Sequence, residues 1–362
     1  MPAPHRALEG QSVLERGWLS SNNVLLHGEP GEGATLVDSG HCAHAAQTLA
    51  LVGHALAGER LARLVNTHLH SDHCGGNAAL QRAFGMPVHI PPGQWQAVLR
   101  WDEEALSYRP SRQRCERFTP DAQFAPGDTL RCGGRAWQVL AAPGHDPDSV
   151  MLFDAAHGVL ISADALWENG FGIVFPELDA EMTTPSSLRS APCRPRRSSG
   201  PALRQASGVH RTPDVRAQPP RGAQSAWERP GARLKGFDDV AAVLDLIEHL
   251  PVQWVLPGHG APFQEVKAAL ARARSRLAGF RADPARHDRH AAKVLLKFHL
   301  LEERSQPQPD LRDWFAATPL MQGMWQRLAQ PHGSMAAWCD ALVGELAGNG
   351  VLALRDGVVH NA

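Results

Sequence analysis

The sequence lacks two features that would assign it to a class at once. Six cysteines lie far apart among 362 residues, and no Cys-x-x-Cys pair occurs. This spacing argues against a disulfide framework or a zinc knuckle and favours reduced thiols. No Gly-x-Ser-x-Gly motif is present either, so the sequence offers no nucleophile elbow of the serine hydrolase type.

The sequence also lacks an excess of charge of one sign and a long apolar run. Lysine and arginine total 36 against 37 aspartate and glutamate residues, so no overall field draws the chain toward nucleic acid or an anionic membrane. No stretch has the length of a bilayer-spanning helix, and the first residues carry charges of both signs without the apolar centre of an export signal. We therefore expect a cytoplasmic protein without a membrane partner.

The pattern of apolar residues predicts a layered α/β domain over residues 1–283. The predicted strands cover residues 23–27, 35–38, 64–66, 87–90, 136–140, 149–153, 159–162 and 254–256. The predicted helices cover residues 43–56, 75–84, 237–250 and 264–281. Short apolar runs interrupted by helical periods are typical of sheets covered by helices.

The pattern changes after Asp283 and Pro284, which we take as a domain boundary. Four helical periods follow, and two short strands then flank an Arg-Asp-Gly turn. This predicts a small, mainly helical, winged-helix-like domain over residues 284–362. We expect it to pack over the mouth of the site or to support dimerisation, and oligomer formation stays open.

Residues 181–235 lose every apolar period and are rich in Pro, Ser, Arg, Ala and Gly. Such a segment cannot bury enough apolar surface to offset the entropy cost of ordering it. We predict a disordered insertion. An artefact of gene reading is the alternative, because the flanking residues would join as an ordinary short loop.

Three histidines and one aspartate lie within six residues, directly after a predicted strand. They are His68, His70, Asp72 and His73. On a tight loop the alternating His68 and His70 can face one centre, while Asp72 and His73 turn toward a second. Neutral imidazole and carboxylate are ligands that zinc prefers, and few structural roles need this pattern. The cluster therefore predicts metal binding.

Three residues at other strand ends complete the predicted ligand set. His145, Asp164 and His259 each follow an apolar strand, and loops at such ends gather at one edge of a sheet. Taken alone, each would more often be a cap or a solvated polar group. Beside the histidine cluster they predict two metal ions, with zinc preferred and iron or manganese as alternatives.

These motifs resemble those of the metallo-β-lactamase superfamily. The signature His-x-His-x-Asp-His appears at residues 68–73, and the extended Thr-His-Leu-His-Ser-Asp-His-Cys-Gly-Gly-Asn is similar to that of hydroxyacylglutathione hydrolases. The resemblance covers about residues 10–283 without the insertion. It implies an αββα sandwich with the metal ions at one edge of the two sheets.

The resemblance also assigns the ligands to two ions. Three histidines would hold the first zinc ion: His68, His70 and His145. Three further residues would hold the second: Asp72, His73 and His259. Asp164 would bridge both ions, and Asp38 would support the histidine loop through hydrogen bonds without binding metal. Ala163 stands where relatives often have glycine, which leaves the ligands unchanged.

Two cations about 3.5–4 Å apart lower the pKa of a bridging water toward neutrality and so supply a hydroxide nucleophile. We expect Asp72 to orient this hydroxide and to carry its proton to the leaving group. The sequence therefore predicts a dinuclear zinc-dependent hydrolase that attacks an ester, thioester or lactone-type small molecule.

Two other functions compete with this interpretation. A ribonuclease or phosphodiesterase would use the arginines of the insertion for phosphate contacts, although the near-neutral charge makes nucleic acid a less favoured partner. A mononuclear iron-dependent oxygenase would use His68, His70 and His145. We also expect residues 100–118 to form a lid and Tyr108 to donate a hydrogen bond to substrate. A glutathione thioesterase would need a Lys and Arg set that residues 292–304 do not match.

We predict that Asp72→Asn keeps most of the bound metal but loses most turnover, because the amide cannot take up the proton of the nucleophile. Metal content and the turnover number of the purified variant test this. A near-normal rate would remove Asp72 from the mechanism.

Overall fold

The computed structural model describes residues 6–175 and 232–362 and places two sheets between layers of helices. The first sheet has six strands in chain order: β1 (Gln11–Leu14), β2 (Asn23–Leu26), β3 (Ala34–Val37), β4 (Leu61–Val65), β5 (Val88–Ile90) and β6 (Ala122–Gln123). Strands β1 to β3 are antiparallel, and β3 to β6 are parallel.

The second sheet has five strands: β7 (Thr129–Cys132), β8 (Arg135–Ala141), β9 (Val150–Asp154), β10 (Val159–Ala163) and β11 (Trp254–Pro257). Their spatial order is β11-β10-β9-β8-β7, and only the β10–β11 pair is parallel. Both β9 and β10 are buried along their whole length. Burial on both faces explains why they appear in the sequence as mostly apolar runs without polar alternation.

The two sheets bury a shared core. Val24 and Leu26 of β2 belong to the same buried cluster as Trp137 and Ile161 of the second sheet. Leu25, between the two β2 residues, belongs to a different cluster on the opposite face of its sheet. This alternation follows from the two-residue period of a strand and defines two sheets packed face to face.

Helices cover the outer face of each sheet. Among the described residues, five α-helices precede the second sheet in the sequence: α1 (Ala45–Leu56), α2 (Ser71–Cys74), α3 (Asn77–Phe84), α4 (Trp95–Arg100) and α5 (Tyr108–Ser111). Two more helices, α6 (Ala232–His249) and α7 (Val266–Ala282), flank β11. Residues of α1 and α3 pack on the first sheet, and residues of α6 and α7 pack on the second. The predicted αββα sandwich is confirmed.

Residues 284–362 are mainly helical and end in a small antiparallel sheet. The helices are α8 (Pro284–Glu303), α9 (Gln308–Ala317), α10 (Pro319–Arg327) and α11 (Met335–Gly348). The strands are β12 (Ser305–Pro307), β13 (Leu352–Arg355) and β14 (Val358–Asn361), in the order β12-β14-β13. The mainly helical character agrees with the sequence, while the winged-helix assignment and a domain boundary at 283 stay predictions.

The structure differs from the predicted elements in a few short segments. Strands β1, β6, β7 and β12 were not predicted; each has four residues or fewer, and β12 contains a proline. Residues 181–231 of the predicted insertion lie outside the described residues, and α6 already begins at Ala232. Within the described residues, no helix has both the length and the apolar character needed to cross a bilayer.

We expect Trp137→Ala to lower the free energy of unfolding by about 3–5 kcal/mol, because its fully buried ring fills the core between the two sheets. Urea denaturation of the two proteins measures the difference. Leu354→Ala is the control, since that side chain is 48% exposed on β13 and should cost no more than about 0.5 kcal/mol. Equal costs for the two substitutions would contradict this core assignment.

Candidate metal centre

The seven predicted ligands come from four loops that meet at one edge of the sandwich. The histidine cluster follows β4, and helix α2 carries its Asp72 and His73. His145 follows β8, Asp164 follows β10 directly, and His259 follows β11. The structure therefore brings all seven side chains together, as the strand-end argument expected.

Two groups of three side chains each present ligand atoms within 4.8 Å of one another. One group is His68, His70 and His145, and the other is Asp72, His73 and His259. These groups coincide with the two sets that the family resemblance implied. A third such group, formed by His68, His73 and Asp164, joins them.

Asp164 lies between the two groups. One of its carboxylate oxygens is 3.3 Å from Nε2 of His145, and the other is 3.3 Å from Nε2 of His73. The indole N–H of Trp167 donates to the second oxygen at 3.2 Å. A carboxylate with one oxygen toward each group has the placement that a bridging ligand requires.

Hydrogen bonds outside the cluster orient its imidazoles. Asp38 accepts from Nδ1 of His73 at 2.8 Å and from the backbone and hydroxyl of Thr67, also at 2.8 Å. Nδ1 of His145 donates to the carbonyl of Ile173 at 2.5 Å. Each bond keeps a proton on Nδ1, so that Nε2 is the nitrogen that faces the cluster. The predicted supporting role of Asp38 agrees with these contacts.

Burial and mutual charge set the protonation of the cluster. Burial lowers the pKa of His68 well below its usual value and lowers that of His145 to about 4. Burial alone would raise the pKa of Asp72, but the nearby His73 and His259 outweigh it and bring the pKa to about 2. Neutral imidazoles and ionised carboxylates are the forms in which these side chains bind metal.

The residues fit a divalent cation in two further respects. Nε2 of His68 is fully buried and has no hydrogen-bond partner among the described residues, which is costly for a polar atom unless an ion satisfies it. Burial lowers the pKa of His73, but Asp164, Asp38 and Asp72 outweigh this and raise it well above its usual value. Three carboxylates around one buried imidazole provide the negative charge that a cation would compensate.

The centre opens into a cavity of about 540 Å³. Helix α8 forms one wall through apolar side chains that include Val294, Phe298 and Leu301, and Phe171 and Phe175 contribute from the loop after β10. Five of the seven predicted ligands also line this cavity: His70, Asp72, His145, Asp164 and His259. Most of the predicted ligands thus face a mostly apolar space.

Sequence reasoning missed two aromatic residues at the centre. Trp18 is 58% exposed, and its ring lies parallel to that of His259 with a centroid distance of 5.2 Å. Trp167 contacts His259 edge-on, at 5.3 Å, besides donating to Asp164. Trp167 follows Asp164 by three residues, which was the only local signal. For Trp18 no signal existed, because its partner lies far along the chain.

The predicted role of Tyr108 is wrong. Its side chain is 2% exposed, and its hydroxyl donates to the carbonyl of Leu69 at 2.9 Å, behind the histidine loop. Because this bond uses its proton, the hydroxyl supports the loop and cannot donate to a substrate in the cavity. The segment around it still borders the cavity, through Ser107, Ser111 and Gln113.

Fold and centre together define a metal-binding αββα protein. The family model of the metallo-beta-lactamase superfamily matches residues 16–259, which includes every predicted ligand. The chain belongs to this superfamily. A metallo-beta-lactamase from Cronobacter sakazakii, a HARLDQ motif mutant, has the same fold with a TM-score of 0.50 at 17% identity, over 76% of this chain and 96% of that one.

Curated relatives match the chain over part of their length. A hydroxyacylglutathione hydrolase of Methylococcus capsulatus is 30% identical over 168 residues, which are 45% of this chain and 55% of that protein. An acyl-coenzyme A thioesterase of Gallus gallus is 33% identical over 127 residues, which are 31% of this chain and 44% of that protein. The chain thus spans about half the length of these relatives.

We expect Gly258→Ala to weaken metal binding at least about tenfold, because its Cβ would lie 2.2 Å from an oxygen of Asp164 and 3.0 Å from the ring of His73. Competition for zinc with a chromophoric chelator measures the affinity. Gly53→Ala, where a Cβ meets nothing within 4 Å, is the matched control. Wild-type affinity in Gly258→Ala would show that the close approach is unimportant.

Proposed function

We propose that the seven residues bind two zinc ions and that the chain is a metal-dependent hydrolase of thioesters with an apolar acyl group. One observation carries this proposal: both groups of ligand side chains open into the same apolar cavity. Such a cavity can bind an acyl chain and hold its carbonyl at the metal centre. The sequence relatives, a hydroxyacylglutathione hydrolase and an acyl-coenzyme A thioesterase by name, support a thioester over an oxygen ester or lactone.

The metal ions and Asp72 would have different roles in the proposed reaction. Two bound zinc ions would lower the pKa of water toward neutrality and polarise a carbonyl. Asp72 lines the cavity and lies 3.0 Å from Nε2 of His259 through one oxygen. Its carboxylate can orient the attacking water, accept its proton and pass that proton to the leaving group.

A thiolate suits this centre as the leaving group. A thiol has a pKa of about 8.5, so the departing sulfur needs little protonation and one carboxylate suffices to assist it. A phosphodiester or RNA substrate fits less well, because the lining of the cavity is mostly apolar, although Arg276, Lys293 and Lys297 also line it. A small molecule is therefore the proposed substrate.

We expect purified protein to contain two zinc ions per chain and to hydrolyse acyl thioesters of medium chain length. Elemental analysis measures the metal, and release of free thiol measures the reaction. Chelation should abolish turnover, and added zinc should restore it, because water is activated only when metal is bound.

Matched substrates sharpen this experiment. The oxygen ester and the amide with the same acyl chain serve as controls, and oxygen consumption is recorded in parallel. Fewer than one tightly bound metal per chain would contradict the dinuclear centre. One iron per chain with oxygen uptake would favour the oxygenase instead, and cleavage of RNA without thioester turnover would favour the nuclease.

A further inference from the structure

A second groove adjoins the apolar cavity where α7 turns into α8. Five cationic side chains line it: Arg272, Arg276, Arg286, Arg289 and Lys293. The first two lie four residues apart on α7, and the other three are spaced by three and four residues on α8. Helical spacing of this kind places each set on one face, so two helices present cations to the same space.

The positive charge of this groove is only partly compensated. Glu345 pairs with Lys293 at 2.5 Å and with Arg289 at 3.5 Å. Among residues 6–175 and 232–362, no carboxylate lies within ion-pair distance of Arg276 or Arg286. Two guanidinium groups are therefore available for an anionic ligand.

Asp283 and His290 also line the groove, and their surroundings indicate the sign of its electrostatic potential. Asp283, the only carboxylate among the described groove-lining residues, accepts from the backbone N–H of Arg286 at 2.9 Å as the cap of α8. Burial lowers the pKa of His290 to about 4, and the neighbouring Arg276, Lys293 and Arg286 contribute to this shift. The local potential is therefore positive, although the whole chain is nearly neutral.

The groove adjoins the cavity into which the candidate metal centre opens. Arg276, His290 and Lys293 line both spaces. Helix α8 borders the groove with Arg286 and the cavity with Leu301, and these residues are about 22 Å apart along the helix axis. One elongated ligand can thus contact cations at one end of α8 and apolar side chains at the other.

We infer that the groove binds the phosphorylated end of the thiol carrier, a nucleoside diphosphate of the coenzyme A type, while the acyl chain lies in the cavity. This inference rests on the proposed thioesterase function. Arginine forks match phosphate oxygens in geometry, and five clustered cations suit several phosphate charges better than the two carboxylates of glutathione.

The experiment compares two thioesters with the same acyl chain, one on coenzyme A and one on N-acetylcysteamine, which lacks the nucleotide. The test variant is Arg286→Gln/Arg289→Gln, because neither residue lines the apolar cavity. The control is Arg274→Gln, which removes one positive charge from α7, outside the groove, at a position paired with Asp245 and Glu248.

We expect the double variant to raise KM for the coenzyme A thioester about tenfold relative to KM for the N-acetylcysteamine thioester. Arg274→Gln should leave this ratio unchanged. Binding of ADP, with adenosine as the uncharged control, is measured by calorimetry on the protein as purified. ADP should bind to wild type and to Arg274→Gln and should lose at least about tenfold in affinity in the double variant.

The outcomes separate this inference from the proposed function. Loss of ADP binding in the double variant supports nucleotide binding in the groove even if no thioester is hydrolysed. In that case only the proposed thioesterase function is contradicted. An unchanged KM ratio together with unchanged ADP binding overturns the groove while the thioesterase stands. Tighter, groove-dependent binding of an RNA oligonucleotide than of ADP would overturn the assignment to a small carrier.

Discussion

The hydrogen bonds to the carboxylate of Asp38 are the contact on which the centre depends. Strands β3 and β4 are parallel neighbours, so Asp38 after one and Thr67 after the other lie side by side. The carboxylate binds both polar groups of Thr67 and also Nδ1 of His73. One side chain thus fixes the start of the histidine loop, its far end and the tautomer of a proposed ligand.

This arrangement imposes a conformational cost. Asp38 has a φ of 59°, in the left-handed region where a residue other than glycine is strained by about 1 kcal/mol or more. Aspartate tolerates this region better than most residues, and three charge-assisted hydrogen bonds offset the strain. Ala163, just before Asp164, has a φ of 46°, a conformation that glycine would adopt with less strain. Both residues with positive φ lie where a strand ends and a loop of the candidate metal centre begins.

The sequence predicted the parts of the molecule that depend on local patterns. Buried strands such as β10 appear as nearly continuous apolar runs, and the histidine cluster places four proposed ligands within six consecutive positions. The walls of the cavity could not be predicted in this way. The contact of Trp18 with His259 joins residues 241 positions apart. The groove cations are spread over two helices and, apart from Lys293, lie outside residues 292–304, where the sequence did not match the Lys and Arg set of a glutathione thioesterase. Only packing of α8 against the sandwich shows which of its faces meets the ligands.

Helix α8 contributes both to the core of residues 284–362 and to the wall of the cavity. Ala291 and Leu295 pack in the core of residues 284–362 together with Ile173, whose carbonyl holds His145, while Val294 and Phe298 face the cavity. All seven proposed ligands lie within residues 16–259, whereas α8, which forms part of the cavity wall, lies outside that range. Substitutions on the cavity-facing side of α8 can therefore change which ligand fits the cavity without moving any of the seven proposed metal ligands. Ligand preference and metal binding can in this way evolve independently.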